Sequence, residues 1–227
     1  RGNGTIPAVY SERIKLAKHA GMAVMEMYRK NIRPRDIMTK EAILNALTVD
    51  MALGCSTNSM LHLPAIAHEV GFDFDIAFAN PISEKTPNLC HLAPAGPSYM
   101  EDLNEAGGVY AVMKELADIG LLHTECMTVT GKTLGENLKE LRENGFYERC
   151  EKWLQKFNER YGTSVTRQDI IRPADKAIGT DGSSAGLRGN LAPEGAVIKH
   201  TACPKEMFKA VLKARPFDSE EECLDAV

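Results

Sequence analysis

Small and apolar residues recur every three or four positions along several stretches of the chain. That spacing places them on one face of a helix, so each stretch predicts an amphipathic helix. Thr39 is a typical N-cap for the second helix, and Gly54 is a typical C-terminal stop. Pro64 removes an N–H from the third helix, which therefore either begins near Leu63 or bends at the proline. The predicted helices span residues 11–30, 40–53, 59–70, 109–119 and 146–161.

The pattern of polar and apolar positions changes twice along the chain. Residues 72–99 carry repeated Asn-Pro, Thr-Pro and Gly-Pro pairs, which predict a long connection, and ordered connections of this length are often functional. After Pro173 the chain is rich in Gly and Ser and then continues with a short β-type run at 195–200. We therefore predict an α/β protein of two units, a helix-rich unit over 1–172 and the first part of a β-rich unit over 173–227.

The junction between the second and third predicted helices holds the clearest candidate chemistry. Four small polar side chains follow one another there, in Gly54-Cys-Ser-Thr-Asn58. A helix N-terminus presents unpaired N–H groups and a partial positive charge, so this junction can receive a carboxylate or a phosphate. Ser, Thr and Asn are also ordinary N-cap residues, and for these residues alone capping is the simpler explanation. His62, in the following helix, is a further candidate, whereas His68 is expected to be structural.

Composition narrows the classes of function. The 227 residues are 44% hydrophobic, with a net charge of −4 and a pI near 5.9. These values indicate a globular protein without the broad basic surface that binds nucleic acid. No apolar run reaches the roughly 18 residues that cross a bilayer, and the first residues do not resemble a signal peptide, so we expect a cytoplasmic protein. The six cysteines are widely spaced, without zinc-finger spacing, and predict reduced thiols.

Short motifs suggest three other kinds of chemistry that their context does not support. Gly131-Lys-Thr133 resembles the end of a phosphate-binding P-loop, but Cys126 stands where that loop needs glycine. Ser184 fits the G-x-S-x-G pattern of a hydrolase nucleophile, yet the sequence predicts neither a strand before it nor a helix after it. Glu101 and Asp102 are paired acids, but acidic residues are favoured in the first turn of a helix even without acid–base chemistry.

Several stretches, in one order along the chain, together resemble the dihydroxy-acid dehydratases and their relatives, the phosphogluconate and sugar-acid dehydratases. No single stretch is diagnostic, but the ordered set covers most of the chain and is specific. The stretches are Arg33-Pro-Arg-Asp-Ile-Met-Thr39, Met51-Ala-Leu-Gly-Cys-Ser-Thr-Asn58 with Leu61-His-Leu63, Pro87-Asn-Leu-Cys-His-Leu-Ala-Pro94, Met100-Glu-Asp-Leu103 with Ala106-Gly-Gly108, Thr128-Val-Thr-Gly-Lys-Thr-Leu134, Arg188-Gly-Asn-Leu-Ala-Pro-Glu-Gly-Ala-Val197 with Lys199, and Arg215-Pro-Phe-Asp-Ser-Glu-Glu221.

The resemblance implies a lyase reaction. A 2,3-dihydroxy acid, such as 2,3-dihydroxy-3-methylbutanoate or -pentanoate in valine and isoleucine synthesis, would lose water to give a 2-oxo acid. Dehydration of a sugar acid or of 6-phosphogluconate is the alternative. The resemblance also implies a homodimer, an iron–sulfur cluster (2Fe-2S or 4Fe-4S) that acts as Lewis acid on the departing hydroxyl, and a Mg²⁺ ion at the carboxylate. For the fold it implies the helix-rich part of a three-layer α/β domain, followed by the start of a β-barrel-like C-terminal domain.

The family's cluster cysteines, magnesium ligands and catalytic serine belong to motifs that do not occur in this sequence. We therefore expect no metal ligand and no catalytic residue in this chain. Arg1 in place of a starting Met, and a helix start signal at Ser219 so near the end, predict an internal piece of a longer enzyme that is inactive alone. Cys55 stands where the family has a second glycine, so a side chain fills space that glycine leaves open.

We expect four polar residues to line the active site, where they would contact the substrate or the cluster-bearing loops of the enzyme. The alternative from another class is that the chain is a non-catalytic structural or interface segment. The expected lining residues are Ser56, Thr57, Asn58 and His62.

Overall fold

Helices make up most of the molecule. The computed structural model describes residues 4–227. Its α-helices are α1 (Ser11–Arg29), α2 (Pro34–Ile37), α3 (Lys40–Leu53), α4 (Ser59–Glu69), α5 (Ala79–Ser83), α6 (Met100–Glu105), α7 (Gly108–Asp118), α8 (Leu134–Glu143), α9 (Phe146–Tyr161), α10 (Arg167–Ile170) and α11 (Glu220–Ala226). Its strands are β1 (Ala185–Leu187) and β2 (Ala196–Ile198), and short 3₁₀ turns cover Ile76–Phe78, Ala174–Lys176, His200–Ala202 and Lys205–Lys209.

The central element is α3, which joins two hydrophobic clusters. Ala52 and Leu53 belong to the larger cluster, together with buried residues of α6, α7, α8 and α9. Leu47 and Met51 belong to a smaller cluster with residues of α4 and α5. A helix that is apolar on nearly all sides is buried on nearly all sides, as α3 is over most of its length. The C-terminal end of α3 is therefore held in place by the packing of both clusters.

The predicted amphipathic helices are confirmed as α1, α3, α4, α7 and α9, with ends within one residue of the prediction. The cap signals of α3 are also confirmed. The Oγ1 atom of Thr39 accepts the Ala42 N–H at 3.2 Å, and Gly54 adopts the left-handed conformation, with φ of 69°. A start of the third helix near Leu63 is wrong, because α4 begins at Ser59 and runs through Pro64.

Several shorter helices, including α5 and α8, were not among the predicted elements. The structure places α5 in the segment 72–99, with Pro81 as its third residue. The N–H groups of the first helical turn have no partner within the helix, so the N–H that proline lacks is not needed at this position. The sequence signal for α8 is a capping box. The Thr133 hydroxyl accepts the Glu136 N–H at 3.2 Å, and the Glu136 carboxylate accepts the Thr133 N–H at 2.7 Å.

The apolar face of α1 is not covered by the described part of the chain. None of its residues is buried, and the side chains of Ile14 and Tyr28 are 77% and 81% exposed. Only Leu16, Ala23 and Met27 are half-buried. The spacing of apolar residues thus predicts the helix correctly but does not predict that most of its apolar face is open.

The β-type run at 195–200 is confirmed as β2, which pairs antiparallel with β1 so that Ala185 lies opposite Ile198. Just before β1, the chain docks on α3 and α5. The Ser183 N–H donates to the Met51 carbonyl at 3.1 Å, and the Gly182 N–H donates to the Ser83 carbonyl at 2.7 Å.

A mixed α/β composition is confirmed by the long helices and the two-stranded sheet. The three-layer arrangement, the β-barrel-like domain and the boundary between 172 and 173 stay predictions. Within residues 4–227, no helix combines the length and the apolar character needed to span a membrane.

Candidate functional site

A cavity of about 580 Å³ lies where α3 ends and α4 begins. The junction contributes Gly54, Cys55, Ser56 and Thr57 to its wall, and the residue after β2 contributes Lys199. The remaining wall is mostly apolar and comes from the end of α3, the turn before α6, and from α6 and α7. The cavity therefore has a polar end at the junction and apolar sides.

The sharp turn at the junction depends on Gly54. Its left-handed conformation lets the Gly54 N–H donate to the Asp50 carbonyl at 3.1 Å, and the Cys55 N–H donates to the same carbonyl at 3.3 Å. A side chain at position 54 would be strained by this conformation, and its Cβ would lie 3.5 Å from Nδ2 of Asn88. The turn directs the following hydroxyl residues toward the cavity.

Ser56 provides the capping interactions at the start of α4. Its Oγ accepts the Asn58 N–H at 3.3 Å, and its carbonyl accepts the Ser59 hydroxyl at 2.8 Å. Asn58 has helical backbone angles and makes no side-chain cap bond. The Thr57 hydroxyl has no hydrogen-bond partner within residues 4–227. Capping thus accounts for Ser56 but leaves the Thr57 hydroxyl available to a ligand.

The structure brings two of the four expected site residues to the cavity. Ser56 and Thr57 line it. Asn58 and His62 are exposed on the first turns of α4 and are not among the lining residues. The role of all four as contacts to substrate or to cluster-bearing loops stays a prediction.

Lys199 is a cavity residue that the sequence did not predict as part of the site. Its Nζ donates to the Gly54 carbonyl at 2.6 Å, across 145 positions of sequence. A cation is favoured at this place because the C-terminal end of α3 carries a partial negative charge. One sequence signal was available. Val197 and Lys199 are two positions apart and so point to the same side of an extended chain, and Val197 packs on the cluster that contains Met51.

Behind the cavity wall lies a buried carboxylate, Asp50. It accepts the Ser59 hydroxyl at 2.9 Å. Burial raises the pKa of Asp50, and hydrogen bonds from Ser59 and Cys55 and the charge of Lys199 oppose that rise. Burial also raises the pKa of the Cys55 thiol from 9.0 to about 12, and the Asp50 charge adds to the effect. Cys55 is therefore a neutral hydrogen-bond donor at neutral pH.

We expect Cys55 to react with iodoacetamide at pH 8 far more slowly than the exposed Cys223. At that pH a thiol with a pKa of about 12 has roughly 1,000-fold less thiolate than one with a pKa of 9. The rate should rise as the pH approaches 12, because the thiolate is the reacting form. Mass spectrometry of the labelled peptides measures both rates, and equal labelling of the two cysteines at pH 8 would contradict the assignment of Cys55 as a neutral thiol.

The motifs rejected on sequence context have structural roles. Ser184 is buried and is followed by β1 instead of a helix. The Asp102 carboxylate accepts the Tyr99 N–H at 2.6 Å and so caps α6. Thr133 caps α8, and Lys132 forms an ion pair with Glu140 at 2.8 Å.

The donor side chains of residues 4–227 are too dispersed to form a metal site by themselves. Within residues 4–227, no three His, Cys, Asp or Glu side chains come together as a metal would require. The six cysteines are free thiols, and burial raises the pKa of Cys90, like that of Cys55, to about 12. The residues described here therefore do not fit an iron–sulfur cluster or a magnesium ion.

Family models and known proteins both relate this chain to one group of dehydratases. The family model described as dihydroxy-acid/6-phosphogluconate dehydratase N-terminal matches residues 1–137, and the corresponding C-terminal model matches residues 169–227. A dihydroxy-acid dehydratase of Agathobacter rectalis is 65% identical over 228 residues, which covers 100% of this chain and 37% of that protein. Proteins of the same name from Lachnospira eligens and Clostridium beijerinckii are 64% and 56% identical, with the same coverage.

The chain spans 37% of the length of these relatives. The match to the N-terminal family model alone covers more than half of the chain. The chain belongs to the dihydroxy-acid/6-phosphogluconate dehydratase family.

Proposed function

We propose that the protein containing this chain is a hydro-lyase that removes water from a 2,3-dihydroxy acid to give a 2-oxo acid. The substrates are 2,3-dihydroxy-3-methylbutanoate and -pentanoate, which belong to valine and isoleucine synthesis. The observation that carries this proposal is the cavity at the α3–α4 junction, where hydroxyl groups and one ammonium group meet an apolar wall. The names of the relatives, which are dihydroxy-acid dehydratases, support the same reaction.

In this proposal the chain binds and orients the substrate. Ser56 and Thr57 line the cavity, and their hydroxyls hydrogen-bond to the hydroxyls of the acid. Asn58 and His62 lie on the exposed side of α4, where they contact loops from elsewhere in the polypeptide. The apolar walls reduce the contact of the bound acid with water, which strengthens each polar contact inside the cavity.

The cofactors of the complete enzyme are an iron–sulfur cluster and Mg²⁺, and their ligands lie in the part of the polypeptide outside this chain. When bound, they supply the Lewis acid that makes hydroxide an adequate leaving group. This assignment is supported by the dispersed thiols of the present chain. Iron and sulfide analysis of the isolated 227-residue chain should give far less than one cluster per chain, and stoichiometric iron would contradict it.

The proposal extends to architecture and location. The chain forms the late part of a three-layer α/β domain and the start of a β-barrel-like domain, in a cytoplasmic homodimer that does not bind nucleic acid. The net charge of −4 is in keeping with a small-molecule substrate.

The decisive assay uses the full-length protein that contains this chain, reconstituted with iron, sulfide and Mg²⁺. Production of the 2-oxo acid is measured from 2,3-dihydroxy-3-methylbutanoate, from gluconate and from 6-phosphogluconate. We expect turnover of the branched acid to exceed turnover of the other two by at least 100-fold in kcat/KM. Preference for a sugar acid would replace the proposed substrate, and inactivity on all three would favour a non-catalytic role.

Thr57→Val tests the proposed site within that enzyme. Valine keeps the shape of the side chain but removes the hydroxyl, so we expect kcat/KM to fall about 5- to 10-fold, the usual worth of one hydrogen bond. Thr57→Ser restores the hydroxyl and should recover most of the activity. Unchanged kinetics in Thr57→Val would reduce Thr57 to a structural residue at the start of α4.

A further inference from the structure

We propose that a second cavity, which lies between the start of α1 and the helices α6 and α9, binds a small primary amine with an apolar body. Its volume is about 230 Å³, which suits a ligand smaller than a typical drug molecule. Among the described residues, it shares no lining residue with the cavity at the α3–α4 junction. The inference therefore does not depend on the proposed function.

The first step concerns the walls of this α6–α9 cavity. Tyr10, Phe146 and Trp153 line it with aromatic rings, and Ile6 adds an aliphatic side chain. The ring of Phe146 packs edge-to-face on that of Tyr147, with the ring centroids 5.3 Å apart. The faces of aromatic rings carry partial negative charge, so such walls attract a cation as well as apolar groups.

The second step concerns Glu105, the buried carboxylate of this cavity. Glu105 is only 9% exposed, and the Asn104 side-chain amide donates to its Oε1 atom at a long 3.4 Å. Within residues 4–227, the other carboxylate oxygen of Glu105 has no hydrogen-bond partner. A buried acceptor without a partner is costly, and a charged N–H donor from a ligand satisfies it best.

The third step concerns the charge around this carboxylate. Burial raises the pKa of Glu105, the hydrogen bond from Asn104 opposes the rise, and the charges of Glu101 and Glu12 add to it. Glu12 also lines the cavity. Several carboxylates therefore face one another here, and a bound monocation reduces their mutual repulsion.

Arg149 is the one basic side chain among the described residues that line the cavity. Its guanidinium donates to the carbonyl of Asn144, and also to the side-chain oxygen of Asn144 at 3.2 Å. These bonds hold it at the turn that precedes α9. An amino acid would bring a further carboxylate into a cavity where Glu12 and Glu105 already outnumber Arg149. An amine without a carboxylate is therefore the better ligand.

The test uses the full-length protein and three probes of similar shape. They are 2-phenylethylamine, the neutral 2-phenylethanol, and phenylalanine, which adds a carboxylate to the amine. Glu105→Gln keeps the shape of the side chain and removes its charge. Glu151→Gln is the matched control, because Glu151 is exposed on α9 and does not line the cavity. Calorimetry measures affinity, and circular dichroism reports whether each variant is folded.

We expect the amine to bind at least tenfold more tightly than the alcohol or phenylalanine. Glu105→Gln should weaken the amine roughly 10- to 100-fold, the range for a hydrogen bond to a charged group, and Glu151→Gln should match the unaltered protein. Equal affinities of amine and alcohol, or an unchanged amine affinity in Glu105→Gln, would overturn the proposal. Phenylalanine binding as tightly as the amine would overturn the assignment of the ligand class.

Two further measurements decide the matter if Glu105→Gln does not fold. Trp153 is 51% exposed, so Trp153→Ala leaves the core intact, and it should weaken the amine roughly 3- to 10-fold through the lost ring contact. In the unaltered protein, saturating 2-phenylethylamine should slow iodoacetamide labelling of Cys150, which lines the cavity, at least fivefold and leave the exposed Cys223 unaffected. Unchanged binding in Trp153→Ala, or equal labelling of Cys150 with and without the amine, would overturn the proposal.

Discussion

Gly182→Ala is expected to lower the free energy of unfolding by about 3 kcal/mol, the upper part of the range for overpacking a core. Gly182 is buried, and an added Cβ would lie 2.7 Å from Cβ of Met51 and 2.8 Å from Oγ of Ser83. Neither neighbour can move easily, since Met51 is fully buried and the Ser83 carbonyl accepts the Gly182 N–H at 2.7 Å. The chain at Gly182 and Ser183 would have to move away from α3 to accommodate the methyl group.

Gly189→Ala is the matched control for this substitution. Gly189 follows β1 in the same segment of the chain, and a Cβ added there would meet nothing within 4 Å. We expect its effect to stay within about 0.5 kcal/mol, as for other surface substitutions. Urea unfolding followed by circular dichroism measures both midpoints. Equal midpoints for the two variants would mean that the contact between Gly182 and α3 contributes little to stability.

Lys199 should also respond to Gly182→Ala, because both residues contact the same end of α3 through the chain. Ser183 follows Gly182 and donates to the Met51 carbonyl at 3.1 Å, and Lys199 donates to the Gly54 carbonyl at 2.6 Å. We therefore expect a shift of the chain at 182 and 183 to disturb the cavity wall at Lys199 as well as the stability of the protein.

Local signals predict the helices of this protein well. Thr39 and Gly54 mark the ends of α3. Thr39 caps the N–H of Ala42, three residues later, and the left-handed Gly54 donates its N–H to the Asp50 carbonyl, four residues earlier, so both signals are local in sequence. Two of the helices outside the predicted set, α5 and α8, also have local explanations. Pro81 argues against a helix in the sequence pattern, but proline is tolerated in the first turn, where α5 has it. The helix α8 begins at a Thr133–Glu136 capping box, which is a local sequence signal.

The candidate site is only half predictable, because its parts meet through long-range packing. Ser56 and Thr57 follow from the junction between two helical patterns, and both line the cavity. The position of Lys199 depends on how β2 docks on α3, which no short-range pattern specifies. The uncovered apolar face of α1 has the same cause, since periodicity defines a face but does not identify its partner.

Gly96→Ala is expected to lower kcat/KM of the full-length enzyme roughly 10- to 100-fold, because small displacements of a substrate-binding wall cost rate of this order. An added Cβ would lie 2.2 Å from the carbonyl oxygen of His91 and 2.4 Å from its Cγ. The Gly96 N–H donates to the Leu92 carbonyl at 3.0 Å, and Leu92 lines the cavity. The turn must open, and the apolar wall opens with it.

The core should remain folded in Gly96→Ala, because the strand-like segment before the turn is anchored independently. The Leu89 N–H donates to the Ala52 carbonyl at 2.8 Å, and the Leu89 carbonyl accepts the Arg172 N–H at 2.9 Å. Gly189→Ala is the matched control, since Gly189 does not line the cavity and an added Cβ meets nothing within 4 Å. We expect Gly189→Ala to keep kcat/KM within about twofold, because the added methyl group touches neither the cavity wall nor any packed neighbour. If Gly96→Ala keeps full activity, the turn that follows His91 is not a wall of the substrate site.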